Sequence, residues 1–289
     1  MIKILVSDPL AKEGIEILKQ VKGFQVDERA KVPPEELKKL IKKYDAIIIR
    51  SGTKLTKDII KHADNLRIIG RAGVGVDNVD VTEASLKGIV VMNAPGGNTV
   101  STAELSFSLL LALSRNIPQA NASMRQNLWE RKKFMGSQVF GKTLGVIGMG
   151  RIGTEVAKRA VAFGMKVIAF DPFLSAEKAR ELEVEIVSKN KLFSLADYIT
   201  VHTPLTDDTM HMIGGKEFEK MKKGVRIVNC ARGGIVDEKA LLDAIKKGKV
   251  IGAALDVYEK SPPVDNPLVE LDCVVATPHL GASTEEAQV

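Results

Sequence analysis

The sequence predicts an α/β protein built from two doubly wound parallel sheets. Short, uniformly apolar segments alternate with amphipathic helical patterns along the 289-residue chain. Such strands are typical of parallel sheets that helices cover on both faces. A chain of this length also exceeds the size of a common single domain. A breaker sequence, Ala94-Pro95-Gly96-Gly97, interrupts the alternation and separates the two expected sheets.

The segment before the breaker has β-α-β-α order. Strands are predicted at 2–7, 25–27, 46–49 and 66–70, and helices from residue 11, over 33–43 and over 56–62. This order favours a flavodoxin-like first domain. A long helical pattern over 98–120 follows the breaker, and we place a domain crossing there.

A second βαβ series opens at residues 142–148. Its further strands are predicted at 167–170, 198–201, 225–229, 252–255 and 274–276. The expected domains are therefore 1–97 together with 281–289, and an inserted domain over 98–280. The last nine residues predict a capped helix that stops after barely two turns, so we expect the chain to be truncated there.

Composition excludes several classes of function. The net charge of +6 comes from basic residues scattered in pairs, without the long basic run or interleaved aromatic residues typical of nucleic-acid binding. No stretch approaches the ~18 apolar residues of a membrane helix, and no signal sequence precedes the first strand. Cys230 and Cys273 have no metal-site spacing and are expected to be reduced thiols. We therefore expect a cytoplasmic protein that binds neither nucleic acid nor membrane.

A glycine-rich turn between the first strand and helix of the second domain predicts a dinucleotide site. In Gly148-Met149-Gly150-Arg151-Ile152-Gly153, the first glycine suits a tight turn, the second leaves room for a pyrophosphate, and the third allows close packing of helix on strand. Asp171 ends the next strand, and a carboxylate there accepts hydrogen bonds from ribose hydroxyls but repels a 2′-phosphate. The alternative is a purely structural turn. The combined pattern favours a Rossmann domain that binds NAD.

Two of the four histidines follow apolar strands, at the edge where doubly wound sheets bind ligands. They are His202 and His279, whereas His62 and His211 lie among polar residues. Oxidation of a secondary alcohol next to a carboxylate needs three groups: a base for the hydroxyl proton, a cation that fixes the carboxylate, and a nicotinamide that takes the hydride. By position alone, either strand-end histidine serves as the acceptor or as a structural hydrogen-bonding group.

Three segments together resemble the D-2-hydroxyacid dehydrogenases. They are residues 229–237 (NCARGGIVD), 252–257 (GAALDV) and 277–284 (TPHLGAST). Residues 71–80 (RAGVGVDNVD) and 129–136 (WERKKFMG) are similar to the branch of that family that acts on phosphoglycerate. The likeness covers essentially the whole chain. It implies that the second domain binds NAD and that the first binds substrate.

The resemblance also implies roles for individual residues. His279 would accept the hydroxyl proton, and Arg232 would bind the substrate carboxylate and polarise the carbonyl. Asp256 would contact the nicotinamide carboxamide. The residues implied to line the cofactor are Val74, Gly148, Gly150, Arg151, Ile152, Gly153, Asp171, Thr203, Pro204, Cys230, Ala231, Arg232, Asp256, His279, Gly281 and Ala282.

The sequence departs from the family's pattern at the partner of the catalytic histidine. Relatives carry a glutamate immediately before a proline, where this chain has Ser261 before Pro262. A carboxylate behind an imidazole fixes its tautomer and stabilises imidazolium, so its loss should lower the pKa of His279 and slow turnover. Glu259, two residues earlier, is the candidate replacement.

A phosphorylated hydroxyacid requires cationic groups besides Arg232. The residues expected to bind substrate are Arg50, Ser51, Arg71, Gly73, Val74, Gly75, Arg131, Arg232 and His279. The resemblance implies that Arg131 reaches a partner subunit, which predicts a homodimer or homotetramer. Oxidation of 3-phosphoglycerate, the entry to serine biosynthesis, is the expected reaction. Reduction of glyoxylate or hydroxypyruvate, and a dinucleotide-sensing interaction module, remain open as alternatives.

Overall fold

The computed structural model describes residues 1–288, which form two compact units. Unit 1 is Met1–Asn98 together with the described residues from Ser283, and unit 2 is Thr99–Ala282. The observed divisions fall one residue and two residues after the predicted ones. The assignment of substrate to one unit and cofactor to the other stays a prediction at this point.

Unit 1 contains a five-stranded parallel sheet in the order β2-β1-β3-β4-β5. Its strands are β1 Ile2–Val6, β2 Phe24–Glu28, β3 Ala46–Ile49, β4 Ile68–Arg71 and β5 Val90–Asn93. Its helices are α1 Lys12–Gln20, α2 Pro34–Leu40, α3 Lys57–Lys61, α4 Val81–Leu86 and α12 Glu285–Gln288, with a 3-10 turn at Ile41–Lys43. The order is that of a flavodoxin-like sheet, as predicted.

Unit 2 contains a seven-stranded parallel sheet in the order β12-β11-β10-β9-β6-β7-β8. The strands are β6 Thr143–Ile147, β7 Lys166–Phe170, β8 Val184–Ile186, β9 Tyr198–Val201, β10 Val225–Asn229, β11 Val250–Leu255 and β12 Val274–Ala276. The helices are α5 Thr99–Ser114, α6 Ile117–Arg125, α7 Arg151–Ala162, α8 Ala176–Glu181, α9 Lys189–Leu195, α10 Gly215–Lys220 and α11 Glu238–Lys246. The direction of winding reverses at β6, as in dinucleotide-binding sheets.

The apolar strands account for the position of the cores. In unit 2, two buried clusters cover opposite faces of the sheet, one with α5 and α7 and the other with α9, α10 and α11. Unit 1 has its own buried cluster around Leu5, Ile47 and Ile69. The predicted class of two doubly wound parallel sheets is therefore confirmed.

The prediction of one helix over 98–120 is wrong, because two helices occupy that region. Helix α5 ends at Ser114, Asn116 takes a left-handed backbone with φ 52°, and α6 begins at Ile117. Pro118 lies in the first turn of α6, where its missing N–H costs no helical hydrogen bond. Among the described residues, no helix is long and apolar enough to cross a membrane.

Candidate active site

The glycine-rich turn after β6 has the geometry that each glycine was predicted to provide. Gly148 has φ +90°, and a Cβ there would lie 2.8 Å from the carbonyl oxygen of His202. A Cβ on Gly153 would lie 2.0 Å from the carbonyl oxygen of Gly148, so close packing requires glycine. A Cβ on Gly150 would meet no heavy atom within 4 Å. The space in front of the amino end of α7 is therefore open.

Asp171 ties the end of β7 to this turn. Its Oδ2 accepts a hydrogen bond from the Met149 N–H at 2.6 Å, and its Oδ1 accepts one from the Phe173 N–H at 2.7 Å. The carboxylate borders a cleft of about 410 Å³, lined by Met149, Gly150, Asp171, Phe173, Leu174, Ser175 and Lys178. Each carboxylate oxygen keeps a further lone pair that can accept from a ligand hydroxyl.

These residues fit a bound dinucleotide. The open space over Gly150 lies at a helix N-terminus, where backbone N–H groups favour a pyrophosphate. Beside Gly148, the Thr203 hydroxyl is buried, and it has no hydrogen-bond partner among the described residues. A buried hydroxyl without a partner is costly, and a bound ligand would satisfy it.

Buried Asn229, at the end of β10, holds the loop that carries Arg232. Its Nδ2 donates to the Arg232 carbonyl at 2.9 Å, and its Oδ1 accepts from the Ala231 N–H at 3.1 Å. A Cβ on Gly233 would lie 1.9 Å from the Tyr258 carbonyl oxygen, so this glycine is required for the path of the loop. The Arg232 side chain is partly buried and donates from Nη1 to the Ala231 carbonyl at 2.7 Å.

His279 lies on an exposed loop after β12 and has a left-handed backbone with φ 58°. The residues on both sides of it are fixed by Asp256, which follows β11 and is fully buried. The Asp256 carboxylate accepts hydrogen bonds from the Thr277 hydroxyl at 2.6 Å, the Leu280 N–H at 2.7 Å and the Gly281 N–H at 2.9 Å. The imidazole is thus presented from a well-supported backbone.

The second strand-end histidine is not suited to proton transfer near neutral pH. Burial lowers the pKa of His202 to about 4, because the packed surroundings disfavour the charged ring. Its Nε2 lies 2.9 Å from the Thr200 hydroxyl. His202 therefore acts as a neutral structural group, which leaves His279 as the strand-end candidate for the base.

Cys230, predicted to line the cofactor, is buried directly after β10. Burial raises the pKa of its thiol to about 12. The thiol therefore stays protonated, and it is not an active nucleophile. A contact between this residue and the cofactor would be one of packing.

The Glu259 carboxylate is engaged with the start of α11. It lies 3.1 Å from the His211 Nε2 and accepts from the Glu238 N–H at 3.2 Å. The Glu259 N–H donates in turn to the Glu238 carboxylate at 2.7 Å. Ser261 is exposed. The prediction that Glu259 serves His279 gains no support from these contacts.

In unit 1, the loop after β3 that carries Arg50 and Ser51 is clamped from two sides. Asp8 accepts from the Arg50 N–H at 2.6 Å and the Thr53 N–H at 3.0 Å. Asn78 donates to the carbonyls of Arg50 and Thr53, each at 2.6 Å. The Arg50 guanidinium donates to the Gln288 side chain. These contacts fix the backbone of the predicted anion-binding loop.

Arg71 at the end of β4 passes directly over the next glycine-rich turn. A Cβ on Gly73 would lie 1.5 Å from the Arg71 Nη1, and Gly73 has φ +151°. Glycine is therefore required for this position of the guanidinium. The neighbouring predicted residues Val74 and Gly75 are partly buried, whereas Arg131 of unit 2 is exposed.

Sequence reasoning missed the supporting residues Asp8, Asn78, Asn229 and Thr102, the last of which donates from its hydroxyl to the Gly281 carbonyl. Asp8 and Asn229 directly follow or end apolar strands, which is the same signal that identified Asp171. Asn78 and Thr102 have no such signal, because their role depends on contacts with residues distant in sequence.

Comparison with known proteins identifies relatives over the whole chain. Residues 107–281 match the family model of the D-isomer specific 2-hydroxyacid dehydrogenase NAD binding domain. D-3-phosphoglycerate dehydrogenase of Methanocaldococcus jannaschii is 54% identical over 289 residues, which are 100% of this chain and 55% of the relative. The chain thus spans about half the length of the curated relatives that it matches.

Solved structures of the same fold align over nearly the whole of both chains. A glyoxylate reductase from Paecilomyes thermophila has a TM-score of 0.91 at 32% identity, covering 99% of this chain and 90% of that one. D-lactate dehydrogenase from Aquifex aeolicus, complexed with NAD and lactic acid, has a TM-score of 0.86 at 30% identity, with the same coverage.

Proposed function

Because the chain belongs to the D-isomer-specific 2-hydroxyacid dehydrogenases and carries their NAD-binding domain, we propose that it oxidises 3-phospho-D-glycerate to 3-phosphohydroxypyruvate, the first step of serine biosynthesis. The observation that carries the proposal is the support given to Arg232 and His279. Buried polar side chains hold both residues at the carboxyl ends of strands in one sheet. The choice of substrate rests on 54% identity to a phosphoglycerate dehydrogenase.

The proposed chemistry divides between a base and a cation. The His279 imidazole accepts the proton of the substrate hydroxyl as a general base. The Arg232 guanidinium grips the substrate carboxylate and stabilises negative charge on the neighbouring oxygen. NAD, when bound, accepts the hydride from the carbon that carried the hydroxyl. The proton and the hydride together account for the two hydrogens removed from the alcohol.

The residues proposed to hold NAD lie around the turn after β6. The amino end of α7 and the open position at Gly150 receive the pyrophosphate, and Asp171 accepts from the ribose hydroxyls. The Asp171 carboxylate is held by two N–H groups, so it cannot readily turn away from a 2′-phosphate. NAD is therefore favoured over NADP.

The anionic groups of the substrate need cations beyond Arg232. We assign this role to Arg50 and Arg71, whose backbones are fixed by Asp8, Asn78 and the close approach to Gly73. A guanidinium binds phosphate oxygens through two parallel hydrogen bonds. A phosphorylated substrate is therefore favoured over a small acid such as glyoxylate.

A second copy of the chain is proposed to cover an apolar surface on unit 2. Five large apolar side chains are at least half exposed in the segment from α6 to the loop before β6: Ile117, Met124, Trp129, Met135 and Phe140. Exposed apolar groups at this density mark protein interfaces. Arg131 lies in the same segment, which fits the predicted homodimer or homotetramer.

A cytoplasmic location is part of the proposal. Both cysteines are free thiols, one buried and one partly buried. Free thiols are usual where the surroundings are reducing. Fractionation of cells that express the protein would test this location directly.

NADH formation monitored at 340 nm tests the proposed reaction. We expect turnover of 3-phospho-D-glycerate with NAD, and reduction of 3-phosphohydroxypyruvate in the reverse direction. Turnover of glyoxylate or hydroxypyruvate in place of the phosphorylated compounds would replace this function with that of a small-acid reductase. Tight NADH binding without turnover of any hydroxyacid would indicate a dinucleotide-sensing module.

A further inference from the structure

We propose that Asp256 is a positioning residue that holds His279 in its working conformation, and that it does so through the backbone on either side of the histidine. The inference rests on the proposed role of His279 as the base. Asp256 never needs to touch the imidazole for this purpose. All of the residues involved lie in unit 2.

The contacts of the Asp256 carboxylate enclose His279 along the chain. Oδ1 accepts from the Thr277 hydroxyl, two residues before the histidine, and from the N–H of Leu280, the residue after it. Oδ2 accepts from the N–H of Gly281. One side chain thus fixes both ends of the short segment whose centre is His279. A shift of this segment would require at least one of the three hydrogen bonds to break.

Two further side chains support the same segment from outside. The Thr102 hydroxyl of α5 donates to the Gly281 carbonyl at 2.9 Å. The Tyr258 hydroxyl lies 3.0 Å from the Thr277 carbonyl oxygen, and the Thr277 N–H donates to Leu255 at 2.9 Å. Thr277, Leu280 and Gly281 are therefore all hydrogen-bonded to other parts of unit 2.

This support is needed because His279 has φ 58°, a left-handed conformation that residues other than glycine rarely adopt. Such a conformation persists when surrounding contacts over-determine it. A carboxylate is suited to the task because it only accepts hydrogen bonds and can accept from all three donors at once. An amide at this position would place an N–H group opposite one of those donors.

The role is additional to the contact with the nicotinamide carboxamide that the family resemblance implies, because Oδ2 accepts only one of the three hydrogen bonds and keeps a lone pair. Asp256 has 0% exposure, and both of its oxygens already accept hydrogen bonds from the His279 segment. A role confined to the cofactor contact predicts that loss of Asp256 lowers the rate by the same factor whether or not His279 is present. Positioning predicts that the loss of rate in Asp256→Asn depends on His279 and largely disappears once His279 is replaced.

The test is a double-mutant cycle between Asp256→Asn and His279→Gln, measured as single-turnover oxidation of 3-phospho-D-glycerate. We expect Asp256→Asn to lower the rate at saturating NAD at least ~10-fold. In the His279→Gln background, the same substitution should lower the residual rate less than ~2-fold, because the group it positions is already gone. Asp197→Asn is the matched control. Asp197 also accepts a backbone N–H, from Thr143 at 2.8 Å, and should retain the wild-type rate.

If the rate of the double mutant falls by the product of the two single-mutant factors, the inference is wrong. It is also wrong if Asp256→Asn weakens NADH binding but has a normal rate at saturating cofactor. If Asp256→Asn fails to fold, Thr102→Val and Thr277→Val each remove one of the hydrogen bonds that hold the segment and should lower the rate without weakening NADH binding. Wild-type rates in both would also refute the positioning role. A normal rate in His279→Gln alone would instead refute the proposed base.

Discussion

Gly150 and Gly153 stand three residues apart in one turn, yet alanine should affect mainly cofactor binding at Gly150 and mainly stability at Gly153. At Gly150 the added methyl would meet no heavy atom within 4 Å, and the extended backbone with φ −65° is accessible to alanine. Alanine is a poorer N-cap than glycine by up to about 1 kcal/mol. It also reduces the conformational entropy of the unfolded chain, which offsets this cost by about 0.4–1 kcal/mol. The free energy of unfolding should therefore change by less than about 1 kcal/mol.

At Gly153 the methyl would lie 2.0 Å from the Gly148 carbonyl oxygen, well inside van der Waals contact. Backbone atoms must move apart to relieve this overlap, and forced overpacking typically costs about 1–3 kcal/mol. For a unit of this size, that range corresponds to a fall of roughly 2–12 °C in the thermal midpoint. Gly153→Ala should therefore be measurably less stable than Gly150→Ala.

The effects on cofactor binding separate the two sites further. Gly150→Ala fills the space in front of α7 that is proposed for the pyrophosphate, so it should weaken NADH binding by roughly 100-fold or more. Calorimetric unfolding without cofactor and fluorescence titration with NADH measure the two quantities. A Gly150→Ala protein that binds NADH normally, or that is destabilised as much as Gly153→Ala, would refute this description of the turn.

Three more predictions concern pH, turnover and assembly. Because the folded pKa of His202 lies near 4, below the usual value for an unfolded chain, its contribution to stability is complete above pH ~6.5 and is lost as pH falls toward 4. The loss is about 3 kcal/mol, and denaturant titrations should show less acid sensitivity in His202→Gln. Ser261→Glu should raise kcat about 10-fold by stabilising protonated His279, whereas Ser261→Gln should not; equal rates would contradict this. Trp129→Ser combined with Met135→Ser should shift sedimentation toward a smaller species, and an unchanged coefficient would place the subunit contact elsewhere.

Much of the fold follows from local pattern. The strands of unit 2 that carry Asp171, Arg232 and His279 were predicted because each is a short apolar run followed by a polar residue. Strand β8 was missed because its three residues, with Glu185 at the centre, give a weak apolar signal, whereas the missed β5 has a clear apolar run, Val90-Val91-Met92. The end of α5 was missed because a left-handed Asn116 leaves no clear mark in the helical pattern.

The sequence predicted the residues proposed to act on the substrate, but it did not predict the residues that hold them in place. Strand-end position offered His202 and His279 as equal candidates, and only the family resemblance singled out His279 together with Arg232. The hydrogen bonds of Asp256 and Thr102 join residues far apart in the chain, so they became visible only with the fold. The engagement of Glu259 with His211 is equally non-local, which is why its proximity in sequence to Ser261 was a weak guide.

The ratio of kcat/KM for 3-phospho-D-glycerate to that for D-glycerate decides whether this chain oxidises a phosphorylated hydroxyacid. Hydrogen bonds from charged donors to a phosphate contribute about 1.5–3 kcal/mol each. Two such contacts predict a ratio of at least ~100 in favour of the phosphorylated substrate, with NAD as oxidant. A ratio near one, or turnover of D-glycerate alone, would show that the chain does not recognise the phosphate.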